Sequence, residues 1–433
     1  MKRYTAQDEI KGLMEFIDGS STPYHGVERL SAMLEEAGAV RLNEEDRWDS
    51  LYPGMLYYFV RNESCVAAFR LGSRPPEKDG WRITLSHLDY PCLRIRPHSG
   101  SNTESYERLS AEVYGGIINH SWLDRPLSLA GRVYTRSDSG NGMKGININA
   151  SRPLLQIPEL AIHMNHGVNE NLKINTQTEL LPFFSQDFNG GNSFTWFIAS
   201  EAGVEEDELL SYDLSVVEAA PSCTLGESGE FISAPHLDNG EMVYSSFRGF
   251  IEASEISEVC SLVIAFDHEE IGSTSDRGAR SDLLTGTLRR IHDNIGLDEE
   301  DRRRALSRSV ICSADMAHAS HPAYPATFDP GHKVYLNKGP VLKHSFSQTY
   351  IESPRAAAYF KLLCEEHRIP YQEFVNRNDL RGGSTVGPAS AASLGALGFD
   401  MGNAIFSMHS VREFGGAMDV FYSTEFFEAF NSR

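Results

Sequence analysis

The sequence predicts an α/β protein, with an α/β/α sandwich domain around a mixed sheet and a mostly-β domain inserted in the middle. From about residue 241 onward, apolar strand-like runs alternate with helical segments, as in an α/β sheet with helices on its faces. Residues 92–235 are instead rich in short β-type runs, Gly and Asn. The chain has 433 residues, which is too long for one ordinary core. These three observations indicate two domains.

The elements follow from local patterns. Apolar residues recur at helical spacing in residues 9–17 and 26–37, which predicts two helices at the start. From about residue 241 onward, strand-like runs alternate with helical segments. Residues 137–145 form a turn-rich stretch. The predicted strands are residues 55–60, 65–71, 81–85, 261–266 and 310–314, and the predicted later helices are residues 280–294 and 353–367. We therefore expect one discontinuous domain of residues 1–91 and 236–433, with residues 92–235 inserted into it as a second domain. Such insertions are tolerated when the two ends of the inserted domain lie close together.

Composition narrows the classes of function. The formal net charge of -21 disfavours nucleic acid and anionic membranes as partners. The six cysteines form no CxxC pair, which argues against a zinc site built from cysteines. The first residues lack the apolar region of a secretory signal, and no stretch approaches the roughly 20 apolar residues of a membrane span. A cytoplasmic protein is the expectation.

The first candidate motif is a strand that ends in His87, Asp89 and a proline. Ligands of open α/β sheets bind at the carboxyl ends of strands, so His87 would face the expected crevice. Imidazole is a good zinc ligand, and Asp89 could orient it. Taken alone, a His-x-Asp is more often an ordinary exposed loop.

The second candidate motif follows the apolar run 262–266. Asp267, His268, Glu269 and Glu270 come directly after it. Carboxylates this close repel and raise each other's pKa unless a cation is present. A metal ion bound by one Glu, with the neighbouring Glu as a base, would resolve that repulsion, although a solvated strand end explains the motif equally well.

Other strand ends carry the same residue types. Asp315 follows the strand 310–314, with His318 and His321 close behind it, and His409 ends the apolar run that begins at residue 406. Asp238 lies near the predicted domain boundary, where an Asp is more often a turn residue than a ligand. Two His and three acids at the strand ends of one domain together suit two divalent cations that share a bridging carboxylate.

Ordered motifs along the whole chain resemble those of the M18 family of metallo-aminopeptidases, in particular its aspartyl aminopeptidase group. In chain order they are residues 16–18, 21–25, 86–91, 114–116, 122–133, 266–273, 313–318, 383–388 and 407–413. Their number and order argue against coincidence.

The resemblance implies a site with two divalent metal ions per subunit. His87, Asp238 and Asp315 would hold one ion, and Asp238, Glu270 and His409 the other, so that Asp238 is the bridge. Zinc is the expected metal, and cobalt or manganese would suit the same ligands.

The resemblance also implies the remaining roles. Glu269 would be the general base, and Asp89 would orient the histidine of the first metal. His318, Lys343 and Tyr350 match positions that contact substrate. The expected substrates are peptides with free N-termini, with a preference for N-terminal Asp or Glu. There are three alternatives. The enzyme could prefer neutral N-terminal residues such as Leu, it could be a related deacylase or carboxypeptidase, or the chain could form an inactive peptide-binding assembly.

The inserted domain would serve assembly. His163 matches a histidine that reaches the active site of a neighbouring subunit, and members of the resembled family form tetrahedral dodecamers through this domain. Residues 115–122 and 137–145, both in the inserted domain, depart from the family pattern. The Gly-rich run 381–387 could suggest a phosphate-binding loop. It lacks the lysine of that motif, so a phosphate-binding loop is rejected.

Overall fold

The structure, a computed structural model, describes residues 4–138, 141–186, 193–253, 257–380 and 382–433. Ser139, Gly140 and Arg381, which belong to the turn-rich and Gly-rich stretches noted above, lie outside the described residues. Residues cluster into two compact units. The first comprises the described residues of Met1–Asp89, Ser222–Met408 and Glu413–Arg433, and the second those of Tyr90–Pro221 and His409–Arg412.

Ten α-helices are present in the described residues. They are α1 Ala6–Gly19, α2 Pro23–Glu36, α3 Pro76–Asp79, α4 Phe194–Ala202, α5 Leu237–Glu252, α6 Leu283–Asn294, α7 Glu299–Arg308, α8 Pro354–His367, α9 Val386–Leu394 and α10 Asp419–Ser432. Their starts follow capping rules: Thr5 and Asp8 form a capping box before α1, and Pro23 occupies the first turn of α2.

Twenty-two strands are present in the same residues. They are β1 Val40–Arg41, β2 Leu56–Arg61, β3 Cys65–Arg70, β4 Trp81–His87, β5 Cys92–Ile95, β6 Ser101–Thr103, β7 Tyr106–Arg108, β8 Ala111–Tyr114, β9 Leu127–Arg136, β10 Met143–Asn149, β11 Phe183–Gln186, β12 Leu209–Glu218, β13 Cys223–Leu225, β14 Phe231–Ala234, β15 Cys260–Phe266, β16 Val310–Ala314, β17 Ala317–His318, β18 Val341–His344, β19 Gln372–Val375, β20 Leu397–Gly402, β21 Ala404–Phe406 and β22 Glu413–Gly416.

A nine-stranded mixed sheet forms the centre of the first unit, in the order β1-β2-β3-β15-β4-β16-β20-β18-β19. Its four central strands, β15, β4, β16 and β20, are parallel to one another. Side chains alternate between the faces, so that Val263 and Ala265 of β15 join one apolar core, and Leu262 and Ile264 join the other. Helices α1, α2, α5, α8 and α10 cover the first core, and α6 and α9 the second. This is the predicted α/β/α sandwich.

A smaller sheet in the first unit has the order β13-β14-β22-β21-β17. It includes residues 223–225 and 231–234, which the sequence assigns to the inserted domain. They belong to the first unit because β14 pairs along its length with β22, from Phe231 opposite Gly416 to Ala234 opposite Glu413. Pairing across such a sequence separation leaves no local signal.

The second unit is mostly β. A five-stranded sheet has the order β10-β9-β12-β5-β8, and a three-stranded sheet the order β11-β7-β6. Helix α4 packs its buried Phe194 and Ile198 into the apolar core of this unit, together with residues such as Trp122 and Leu214. No described helix of the chain has the length and hydropathy required to cross a membrane.

The predicted elements of the first unit are confirmed to within a few residues. The helix expected at 280–294 begins three residues later, at Leu283, and the strand expected at 81–85 extends to His87. The extension matters, because it makes His87 the last residue of a buried strand.

Candidate active site

The carboxyl ends of three adjacent parallel strands, β15, β4 and β16, supply most of the candidate site. His87 ends β4, and Asp315 follows β16 directly. Glu269 and Glu270 begin a short 3₁₀ helix, Glu269–Ile271, three residues after β15. In open α/β sheets ligands bind in the crevice at these strand ends.

His87, Asp238 and Glu270 each offer a ligand atom, and these atoms all lie within 4.8 Å of one another. The His87 Nε2 atom is 3.8 Å from Asp238 Oδ1 and 3.8 Å from Asp315 Oδ2. Its Nδ1 atom lies 2.9 Å from the carbonyl oxygen of Asp89. A carbonyl only accepts, so Nδ1 donates and Nε2 is the nitrogen that would coordinate a metal ion. Although burial opposes it, the hydrogen bond to Asp89 and the nearby acids raise the pKa of His87 well above its ordinary value, so metal binding at Nε2 would displace a proton.

Asp89 holds the two strand ends together. Its Oδ1 atom accepts a hydrogen bond from the backbone N–H of Glu269 and its Oδ2 atom one from that of Glu270, both at 3.1 Å. The His87 Nδ1 atom is 3.4 Å from Asp89 Oδ1. The carboxylate is fully buried, so its position is fixed from all sides.

The charge in this cluster is unbalanced. Burial, followed by the nearby Asp315, Asp89 and Asp238, outweighs the opposing effect of His87 and raises the pKa of Glu269 to about 8. Burial and Asp238 likewise raise the pKa of Asp315. Acids that must share a buried space stay ionised only beside a cation. The oxygen and nitrogen donors of the cluster therefore fit a divalent cation such as zinc.

Lys343 lies against this cluster and is buried, with 3% of its surface exposed. Its Nζ atom is 3.5 Å from Asp315 Oδ1, donates to the carbonyl oxygen of Met316 at 3.2 Å, and lies 4.9 Å from the centre of the Tyr350 ring. The sequence predicts Lys343 and Tyr350 as substrate contacts. In the structure the lysine is already paired with a predicted metal ligand.

His318 lines a cavity of about 350 Å³ at the end of β17. Asn376, Arg377, Phe406 and Met408 are among the other lining residues. Asn376 also donates a hydrogen bond to the Tyr350 hydroxyl oxygen, 3.5 Å away. The cavity has the size and mixed polarity of a side-chain pocket.

Two predicted site residues belong to the second unit. The Nδ1 atom of His409 lies 2.9 Å from the carbonyl oxygen of Gly116. His163 is exposed in a turn between Ile162 and Met164. The roles assigned to both residues stay predictions.

Two polar side chains, to which the sequence analysis assigned no role, connect the segment that carries Asp238 to neighbouring strands. Glu413 Oε2 accepts a hydrogen bond from the backbone N–H of Asp238 at 2.8 Å. The Asn239 side chain donates to the carbonyl oxygen of Ala314, also at 2.8 Å. The sequence could have indicated these two residues only by their positions, since Glu413 ends the motif 407–413 and Asn239 follows Asp238.

Comparison with known proteins identifies the class. The family model described as "Aminopeptidase I zinc metalloprotease (M18)" matches residues 16–431. A "Probable M18 family aminopeptidase 2" from Clostridium acetobutylicum is 40% identical over 424 residues, which cover 97% of this chain and 98% of that protein.

Solved structures agree with this match. The chain is similar to one in the cryo-EM structure of the Ape4 and Nbr1 complex, with a TM-score of 0.94 and 33% identity over 99% of this chain and 86% of that one. It is also similar to the S. cerevisiae mApe1 dodecamer structure, with a TM-score of 0.86 and 27% identity over 98% of this chain and 96% of that one.

The fold and the matching family model define a zinc metallopeptidase, a hydrolase of peptide bonds. The chain belongs to the M18 family of aminopeptidases.

A buried carboxylate lies on the helix that follows Asp238. Glu241 of α5 is 1% exposed, and its Oε1 atom accepts a hydrogen bond from the Asn403 side chain at 2.6 Å. Ser423 in turn donates to Asn403 Oδ1 at 2.7 Å. Burial raises the pKa of Glu241 to about 8. The folded protein therefore retains a proton on Glu241 at neutral pH.

This proton makes stability depend on pH. Between about pH 5 and about pH 8 the unfolded chain releases the Glu241 proton and the folded chain keeps it, so the free energy of unfolding falls as pH rises. Glu241→Gln has no such proton. We expect it to make the fall shallower by at most about 1.4 kcal/mol per pH unit, measured by urea unfolding. Glu15→Gln, at an exposed site on α1, serves as the control. Parallel curves for wild type and Glu241→Gln would contradict the assignment.

Proposed function

We propose that this aminopeptidase uses two divalent metal ions, zinc in the first instance with cobalt or manganese as substitutes, to hydrolyse the N-terminal peptide bond. The observation that carries the proposal is the convergence of His87, Asp238 and Glu270 within 4.8 Å, with the partly buried Glu269 beside them. Asp315, 3.8 Å from the same histidine, completes one ligand set with His87 and Asp238. His409 would complete the other set.

The residues of the chain then divide the work. Bound divalent cations supply Lewis-acid chemistry, which polarises the scissile carbonyl and favours ionisation of the attacking water. Glu269 takes the proton of that water and delivers it to the leaving amine. A carboxylate that lies beside the proposed ligands, as Glu269 does, is placed for this general-base role. Asp89 holds the backbone of Glu269 in place through its hydrogen bonds.

Glu269→Gln should keep zinc bound yet lose turnover. The amide preserves the shape of the side chain but cannot accept the proton, and loss of a general base commonly lowers kcat about 10²- to 10⁴-fold. Zinc content by elemental analysis and kcat on a short peptide test this. Glu270→Gln is the matched comparison, since loss of a ligand should reduce the zinc content itself. Near-normal turnover of a zinc-loaded Glu269→Gln enzyme would place the base elsewhere.

An acidic N-terminal residue is the proposed preference. Lys343 is a buried cation whose charge is offset by Asp315, at 3.5 Å. If Asp315 is also a metal ligand, its negative charge is shared between the cation and Lys343. An acidic substrate side chain would then give the Lys343 ammonium group a further acceptor, through a charge-assisted hydrogen bond. Neutral N-terminal residues such as Leu are the alternative.

Comparison of kcat/KM for peptides that begin with Asp, Glu, Leu and Ala tests this preference. We expect Asp and Glu to be favoured, and Lys343→Met to lower kcat/KM for them by about 10- to 100-fold, the value of one hydrogen bond to a charged group. Lys338→Met, at a neighbouring exposed lysine, is the control. A Leu preference that survives Lys343→Met would remove the acidic pocket and leave the aminopeptidase assignment intact.

The proposed functional form is a homo-oligomer, expected to be a tetrahedral dodecamer. The cytoplasmic location stays a prediction. The turn that carries His163 is flanked by apolar side chains that stand in solvent, namely Leu160 at 58%, Ile162 at 45% and Met164 at 74% exposure. Apolar groups clustered on a surface are typical of a protein interface. The similar mApe1 structure is titled as a dodecamer.

Met164→Glu should break the assembly and the activity together, because a charge is costly to bury in an apolar interface. Light scattering after size exclusion, with a parallel peptide assay, measures both. His163→Ala should keep the assembly and lose activity, since the histidine is proposed to act in a neighbouring subunit. A fully active monomer would refute this part of the proposal.

A further inference from the structure

We propose that Glu413 is a positioning residue that fixes the carboxylate of Asp238 and thereby sets the metal affinity of the site. The inference rests on the proposed role of Asp238 as the shared metal ligand. It goes beyond that role by naming the side chain that holds the ligand in place.

The segment that carries Asp238 is not held by a regular helix. His236, before α5, has a left-handed backbone with φ of 36°, and Asp238 and Asn239 have non-helical angles within the first turn. The first N–H groups of a helix also have no partner within the helix. The position of Asp238 must therefore be set by contacts from outside α5.

Glu413 provides one such contact. It begins β22, where its backbone lies opposite Ala234 of β14, and its carboxylate reaches Asp238, four residues beyond Ala234. Glu413 Oε2 accepts the Asp238 N–H at 2.8 Å, and both residues are buried, with 2% and 3% of their surfaces exposed. A buried hydrogen bond of this length restricts the positions of both residues.

Asn239 provides a second contact. Its side chain donates to the carbonyl oxygen of Ala314 at 2.8 Å, and the next residue along β16 is Asp315. Asp238 is thus tied on one side to β22 and on the other to the strand that presents a second proposed ligand. Groups that orient metal ligands typically change metal affinity or activity 10- to 100-fold when removed.

The test measures zinc affinity of the full-length chain by competition with a chromophoric chelator. Glu413→Ala should weaken zinc binding by about 10- to 100-fold. Glu413→Gln, whose amide oxygen can still accept the Asp238 N–H, should restore most of the affinity. Glu9→Ala is the matched control, because Glu9 is equally buried but pairs with Arg248 and Thr424 on other helices. It should lower stability and leave zinc affinity unchanged.

Equal zinc affinity in Glu413→Ala and Glu9→Ala would overturn the inference. If Glu413→Ala fails to fold, Asn239→Ala provides the same measurement at the second contact, and unchanged zinc affinity there would also count against it. Asp238→Asn distinguishes the proposed role of Asp238 as a metal ligand from the proposed positioning role of Glu413. Intact zinc binding in that variant would remove the proposed ligand itself, whereas weakened binding there with normal binding in Glu413→Ala would remove only the positioning role.

Discussion

The candidate site depends on one buried carboxylate, that of Asp89, which joins two strands of the central sheet. The pairing of β4 with β15 places Phe266 opposite His87, so the residues after both strands emerge side by side. Asp89 then accepts the first two N–H groups of the short helix that carries Glu269 and Glu270. A helix start leaves such donors unpaired, and an unpaired buried donor costs about 1–3 kcal/mol. Asp89 thus removes that cost and positions a histidine and two glutamates at once.

Electrostatics explains why such an arrangement suits a cation. Asp89, Asp238 and Asp315 gather negative charge in a buried space beside the partly buried Glu269. Desolvation, followed by repulsion from these acids, raises the pKa of Glu269. A cation that binds only the folded form stabilises it by an amount that grows with the logarithm of its concentration relative to its Kd. The acids that destabilise the empty fold are therefore the source of binding energy for a metal. Stability and metal affinity are two measures of the same charges.

The sequence predicted what local patterns encode. Periodicity located four helices and five strands of the first unit, and strand ends bearing His87, Glu270 and Asp315 indicated the candidate site. What it could not predict depends on contacts between distant residues. Glu413 lies 175 positions from Asp238, and the assignment of residues 223–234 to the first unit depends on strand pairing over a similar distance. Asp238 alone resembled a turn residue, and only the family resemblance identified it.

The position of Lys343 bears directly on the first of the two proposed metal positions. Both would share Asp238, yet the acid that completes the first, Asp315, lies 3.5 Å from the Lys343 ammonium group. At the second, Glu270 is anchored through its backbone by Asp89. A cation at the first position would thus be attracted by a carboxylate whose charge is partly offset by the lysine. Under the proposed function, Lys343 would act on metal binding and on substrate recognition through the same atom, so a change at this residue must be interpreted with zinc content measured alongside kcat/KM.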